Sequence, residues 1–262
     1  MEKEKTVYFL ASDGIKLCGT LTVPDGVTDT CIILCHGITV SRNYEDVFPG
    51  LALSLAKKGS AVFRFDFRGH GDSAGKQTEF TISAQLKDIK AAVDWVKASG
   101  YKNLGLVAAS FGAGASAIFG AKNPKTFRSL ALLFPVIDYN SLLCLKTPWA
   151  RKYFGPRAMI NLERKGFAKI GSRGYKIGKE LIAQMKAFKP WRELEKIKAP
   201  ILFVHGDADT YVPLGDSLVY SKTLKNATMK VVGGGHHGLH NSPKIHNKTI
   251  DLVTDFMVKN LR

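Results

Sequence analysis

The 262-residue chain is short of several things, and each shortage removes a class of protein. It has four cysteines, Cys18, Cys31, Cys35 and Cys144, too few and too unevenly spaced for a disulfide framework. Cys31 and Cys35 fall on one predicted strand, where four residues span roughly 13 Å, so they cannot bridge each other without breaking it. No C-x-x-C occurs, which argues against a metal knuckle. No apolar run approaches the ~20 residues of a membrane-spanning helix. The amino terminus, MEKEKTVYFLASDG, has neither an apolar h-region nor a cleavage signal, so a cytoplasmic location is expected rather than export. Neither an internal repeat nor a low-complexity tract is present. Acidic residues are also scarce: 22 Asp and Glu stand against 38 Lys and Arg, a net charge of +16. Thirteen of those cations, against three carboxylates, lie between Asp138 and Arg192. Such a block reads first as a solvated face and second as a surface drawn to anions.

What is present is an alternation of short apolar runs with amphipathic ones. Two strand-like runs between Thr6 and Pro24 flank the turn signal SDG and predict an antiparallel hairpin. CIILCHG (31–37) reads as a buried strand, EDVFPGLALSLAKKG (45–59) as a helix, and SAVFRFDFRGHG (60–71) as a strand running into a loop. TISAQLKDIKAAVDWVKASG (81–100) has helical spacing and a glycine stop. LGLVAAS (104–110), SLALLFPV (129–136), PILFVHGDAD (200–209) and TMKVVGGG (228–235) read as further strands, and SPKIHNKTIDLVTDFMVKNL (242–261) as a closing helix.

This pattern predicts one α/β domain built on a mostly parallel, doubly wound sheet covered on both faces. Ligands then belong beyond the carboxyl ends of the strands. The stretch 139–189 is too long for a plain strand-to-helix connection. It is expected to be a cap insertion over those strand ends, with some helix of its own.

LGLVAASFGAGASAIFG (104–120) carries two incompatible motifs. Ser110 could be a nucleophile on a strand-to-helix turn, or Gly112-x-Gly114-x-x-Ala117 could be a dinucleotide-phosphate loop. The cofactor reading wants its loop at the first βα turn and an acidic residue about 20 positions later. Here the loop follows a later strand, and SLALLFP ends without a carboxylate, so no cofactor is expected. The serine reading needs a base, an acid to orient it, and oxyanion donors. His236, His237 and His240 follow one predicted strand and Asp207 and Asp209 another, giving the chain order Ser, Asp, His. A metal site at HHGLH is not expected, because no Cys or Glu lies near it.

HGITVSRN (36–43), FRFDFRGHGDSAG (63–75), Ser110 in AASFG, HGDADTYVP (205–213) and GGGHHGL (233–239) together resemble the α/β-hydrolase superfamily over nearly the whole chain. The pattern is most similar to small cytoplasmic carboxylesterases of the cinnamoyl and feruloyl esterase type. One departure is the elbow, where Ala108 stands in place of the first glycine of G-x-S-x-G. The resemblance implies Ser110 as nucleophile, Asp209 as acid, and His237 as base with His236 as the alternative. Asp138 is a second candidate acid, because some relatives place theirs after the earlier strand. It also implies backbone N–H groups of Ile38 and Phe111 as the oxyanion hole, with His36, His70 and His205 structural and Asp207 bracing its turn. The activity implied is hydrolysis of short-chain, phenolic or monoacylglycerol esters through an acyl-enzyme. The alternatives are a serine peptidase or amidase with the same residues, and a non-catalytic binder of anionic surfaces using the basic cap. The expected partner is a small-molecule ester and not a nucleic acid. Contact of the basic cap with an anionic surface, and a homodimer, are both compatible with the sequence. Trp149, Tyr153 and Phe154 are candidates for the cap core or an acyl pocket.

Overall fold

The computed structural model describes residues 3–43 and 47–261. Its centre is an eight-stranded sheet in the order β1-β2-β4-β3-β5-β6-β9-β10. Strands β1 (Lys3–Leu10) and β2 (Lys16–Val23) form the antiparallel hairpin around the SDG turn. Strand β2 then pairs antiparallel with β4 (Ala61–Phe65). From β4 onward every pairing is parallel, through β3 (Thr30–Cys35), β5 (Asn103–Ala109), β6 (Ser129–Leu133), β9 (Ile201–Gly206) and β10 (Ala227–Val232). The predicted helix over 45–59 appears as α1 (Val47–Lys57), and its first two predicted residues lie outside the described ones.

The central strands are buried at nearly every position and mostly apolar because both of their faces are covered. On β3, Cys31, Ile33 and Cys35 enter one core, and Ile32 and Leu34 enter the other. The second core is closed by α1 and α10 (Pro243–Leu261), which supply Val47, Phe48, Leu51, Val253 and Met257. The first is closed by α2 (Ile82–Ala98) and α3 (Phe111–Lys122). Helix α3 is buried from Phe111 to Ala121, so it can carry small residues all round and still be apolar on every side.

Between β6 and β9 the chain builds α4 (Tyr139–Leu143), α5 (Pro148–Phe154) and α6 (Pro156–Lys165). A hairpin of β7 (Phe167–Ile170) and β8 (Tyr175–Gly178) follows, then α7 (Lys179–Ala187) and α8 (Pro190–Leu194). The hairpin is an addition to the helix anticipated there. Its turn uses Gly171 (φ 69°) and Gly174 (φ 66°) in the left-handed region.

Candidate active site

Four loops leave the carboxyl ends of parallel strands and converge on one cavity of about 630 Å³. The loop after β3 brings Ile38, the turn after β5 brings Ser110, and the loops after β9 and β10 bring Tyr211 and His237. Ser110 sits between the last residue of β5 and the first turn of α3 with φ 50° and ψ −123°. A non-glycine residue in that region costs on the order of 1–3 kcal/mol. The surroundings fix it there: its N–H donates to the Leu133 carbonyl at 2.9 Å, and its carbonyl accepts from the Val136 N–H at 2.9 Å. Thr39 (φ 73°) and Phe134 (φ 37°), which line the same cavity, also hold positive φ.

The competing glycine motif has a packing explanation. A Cβ on Gly112 would stand 2.3 Å from the His36 carbonyl oxygen, and one on Gly114 would stand 2.3 Å from the Tyr139 hydroxyl. Both glycines let the start of α3 pass close to its neighbours. Ala108 is a fully buried strand residue, and it is absent from the positive-φ set, so glycine's conformational freedom is not required at that elbow position.

His237 joins the hydroxyl to a carboxylate. Its Nε2 lies 3.1 Å from Ser110 Oγ, and its Nδ1 lies 2.8 Å from Asp209 Oδ2. The other Asp209 oxygen accepts the backbone N–H groups of Tyr211 and Val212 at 2.7 and 3.0 Å. His205, fully buried, brings Nε2 to 3.2 Å from Oδ2 and is itself set by Ser217 Oγ at 2.8 Å from Nδ1. Burial alone would push the Asp209 carboxyl up. The facing His237 imidazole and the hydrogen bonds from His205 and His237 outweigh that effect and hold it well below the usual carboxylate range. An ionised carboxylate only accepts, so His237 Nδ1 must carry the ring proton. That leaves the Nε2 lone pair aimed at the serine O–H.

Two rings frame the imidazole. Phe134 meets it edge-on at 4.8 Å, and Tyr211 stacks on it at 4.8 Å with 20° between planes. Trp149 of α5 stacks in turn on Tyr211 at 5.5 Å, and Thr147 Oγ1, at the start of that helix, donates to the Tyr211 carbonyl at 2.9 Å.

The other candidates are distributed as follows. Ile38 and Phe111 both line the cavity, and among the described residues neither backbone N–H donates to a protein acceptor. Gly37 lets that loop close on the serine, since a Cβ there would stand 2.9 Å from Ser110 Cβ. His236 is exposed at the cavity wall, and it is His237 that reaches Ser110. Asp138 caps α4 and accepts from the Tyr220 hydroxyl at 3.0 Å, away from both histidines. Asp207 accepts the Gly234 N–H at 2.7 Å and braces the turn before His237. His36 is buried with both ring nitrogens occupied, by the Gly37 carbonyl at 2.7 Å and the Phe67 N–H at 3.0 Å. The histidines of HHGLH do not gather as metal donors. Among the described residues the one such group is Cys18, Asp66 and Asp72, whose carboxylates are paired with Arg42.

Sequence reasoning missed His205 as the second partner of Asp209, and Phe134 and Tyr211 as the walls of the imidazole slot. All three stand within a few residues of a strand end, the one local signal that could have marked them.

Residues 26–165 match the family model described as serine aminopeptidase, S33 (Hydrolase_4). The chain is 23% identical over 277 residues to a monoacylglycerol lipase of Mycolicibacterium smegmatis, a similarity spanning 97% of this chain and 96% of that protein. Est1E from Butyrivibrio proteoclasticus, solved with ferulic acid bound, superposes with a TM-score of 0.82 at 23% identity over 97% of this chain and 99% of that one. The esterase Pf2001 of Pyrococcus furiosus superposes with a TM-score of 0.76 at 23% identity, over 100% and 92% of the two chains. At these identities the structural likeness speaks for the fold.

Proposed function

Because the chain belongs to the S33 serine aminopeptidase family of α/β hydrolases, we propose that it is a serine hydrolase cleaving carboxylic esters through an acyl-enzyme. One observation carries the reading: Ser110 Oγ, both nitrogens of His237 and Asp209 Oδ2 lie in one hydrogen-bonded series at the wall of the cavity. In the proposed cycle His237 Nε2 takes the Ser110 proton as Oγ attacks the ester carbonyl. Asp209 stabilises the imidazolium that forms. The Ile38 and Phe111 N–H groups receive the developing oxyanion. Collapse expels the alcohol, which takes the proton back from Nε2. Water, activated by the same nitrogen, then releases the acid.

The Val136, Leu142, Trp149 and Tyr153 side chains give the cavity an apolar wall suited to a compact acyl or aromatic group. Substrates in the short-chain and phenolic ester classes match that size. Ser110→Ala is expected to lower kcat on a p-nitrophenyl ester by about 10⁴–10⁶ and to abolish labelling by a fluorophosphonate. His237→Ala is expected to cost a similar factor, with the double variant no worse than either single one. Full turnover by Ser110→Ala would overturn the mechanism. Aminoacyl p-nitroanilides assayed beside the esters separate amide from ester cleavage.

A further inference from the structure

The cavity has an unusual charge balance. Its described lining includes two permanent cations, Lys152 and Arg173, and no Asp or Glu. Asp209 stands behind His237 and is not part of the wall. The two cations come from different elements of the insertion. Lys152 lies on α5, whose Trp149 stacks on Tyr211 beside His237. Arg173 lies in the β7–β8 turn, where Gly171 packs against Thr39, next to the Ile38 donor.

Neither cation has a structural employment among the described residues. No salt bridge or hydrogen bond engages either side chain, and the one contact of Lys152 is with the face of the adjacent Tyr153 ring, at 5.2 Å. Cations elsewhere in the molecule do hold structure: Arg42, Arg64 and Arg68 are each buried against carboxylates. Within the basic segment itself, Arg151 donates to the Leu145 carbonyl at 3.1 Å and is not among the residues lining the cavity. Of thirteen cations between Asp138 and Arg192, only Lys152 and Arg173 line it.

We infer that this site acts on esters bearing an anionic group, a carboxylate or phosphate, beyond the scissile bond, and that Lys152 and Arg173 bind that group. The inference rests on the ester-hydrolase reading above and narrows it to a substrate class. Two cations lining one cavity, with no carboxylate in its described lining, raise the local potential, and a bound anion offsets it. The apolar wall of Val136, Leu142, Trp149 and Tyr153 meanwhile takes the uncharged part of the molecule. The substrate is therefore amphipathic, with a compact apolar body and one anionic end.

The test uses matched esters. On the acyl side, mono(4-nitrophenyl) succinate is compared with 4-nitrophenyl butyrate. On the alcohol side, 4-carboxyphenyl butyrate is compared with its methyl ester, and 4-phosphonophenyl butyrate replaces carboxylate by a phosphonate. In the wild type, kcat/KM for the anionic member of at least one pair is expected to exceed its neutral partner by about tenfold at low ionic strength. That ratio falls toward one as salt screens the charges. The arm that shows it identifies which side of the ester, and which anion, is read. Lys152→Glu/Arg173→Glu is expected to lower the ratio at least tenfold, chiefly through KM. Arg157→Glu/Arg164→Glu makes the same change in net charge on α6, outside the cavity, and is expected to leave the ratio where it stands. Ratios near one in every wild-type pair, with the neutral esters turned over, would overturn the inference and spare the ester-hydrolase reading. An equal fall in the α6 variant would overturn the assignment to Lys152 and Arg173. No turnover of any ester and no fluorophosphonate labelling would overturn both.

Discussion

At the scale of single residues, the choice between Asp209 and Asp138 is the sharpest that the structure poses. Both carboxylates follow parallel strands, and both accept two hydrogen bonds or more. Only Asp209 faces an imidazole. Replacing it by asparagine keeps the shape but gives the side chain a donor and removes the charge that fixes the His237 tautomer. Asp209→Asn is therefore expected to lower kcat by about 10³–10⁴, as tautomer loss does in serine hydrolases generally. Asp138→Asn keeps an oxygen to cap α4, since Asn caps as well as Asp, and is expected to change kcat by less than about threefold with little change in thermal stability. Steady-state kinetics on one p-nitrophenyl ester checks both, and an equal loss in the two variants would contradict the assignment. Gly112 works at the same scale by contributing nothing: any side chain there would strike the His36 carbonyl and force the helix away from the loop that carries Ile38.

At the scale of elements, helix α5 is tied to the site through few atoms. Thr147 Oγ1 accepts the Ala150 N–H at 3.2 Å and donates to the Tyr211 carbonyl, so one hydroxyl both caps the helix and anchors it to the Asp209 loop. Thr147→Ala is expected to cost about 1–2 kcal/mol, a fall of several degrees in Tm. It is also expected to lower kcat/KM several-fold on every ester, with Thr147→Ser restoring both values. Calorimetry and kinetics on the three proteins check this, and an unchanged Tm in Thr147→Ala would contradict it.

The elements also divide by how readable they were. Strands β3, β5, β6 and β9 are dominated by apolar residues because both faces are covered, and such a run between turn signals is plain in a sequence. Ser110, Asp209 and His237 were legible as candidates because each stands in a compact motif just past a strand, and the structure brings their side chains together. The β7–β8 hairpin was not. Its strands have four residues each, and what holds them is remote: Lys176 N–H donates to Gln77 Oε1 at 2.9 Å, and Tyr175 stacks on His70 at 4.4 Å. The stacked rings around His237 were hidden for the same reason. Phe134, Trp149, Tyr211 and His237 meet only when three separate connections fold over the sheet, and no local period encodes that meeting.

At the scale of the molecule, sensitivity to acid follows from histidines that the fold keeps neutral. Burial pushes the imidazoles of His36 and His70 below their ordinary value of 6.5, and for His70 the neighbouring His36 adds to the effect. The unfolded chain binds these protons near that value and the folded chain does not, so stability is lost as pH falls below about 6.5. Each histidine contributes up to about 1.4 kcal/mol per pH unit in that range. Asp209 acts in the same direction in a lower window, because its depressed carboxyl stabilises the fold above the unfolded value of 3.8 and loses that contribution as pH falls further. Tm is expected to drop steadily from pH 7 to 5, with a shallower slope in His70→Gln, and a flat profile would contradict the assignment. The cavity wall has a last implication, this time for what remains once an ester has been cut. On the proposed ester hydrolysis, the released acid is a carboxylate inside a cavity whose described lining holds Lys152 and Arg173 and no Asp or Glu. That acid is then expected to compete with the next molecule for entry, and dilute buffer to slow its departure more than its formation.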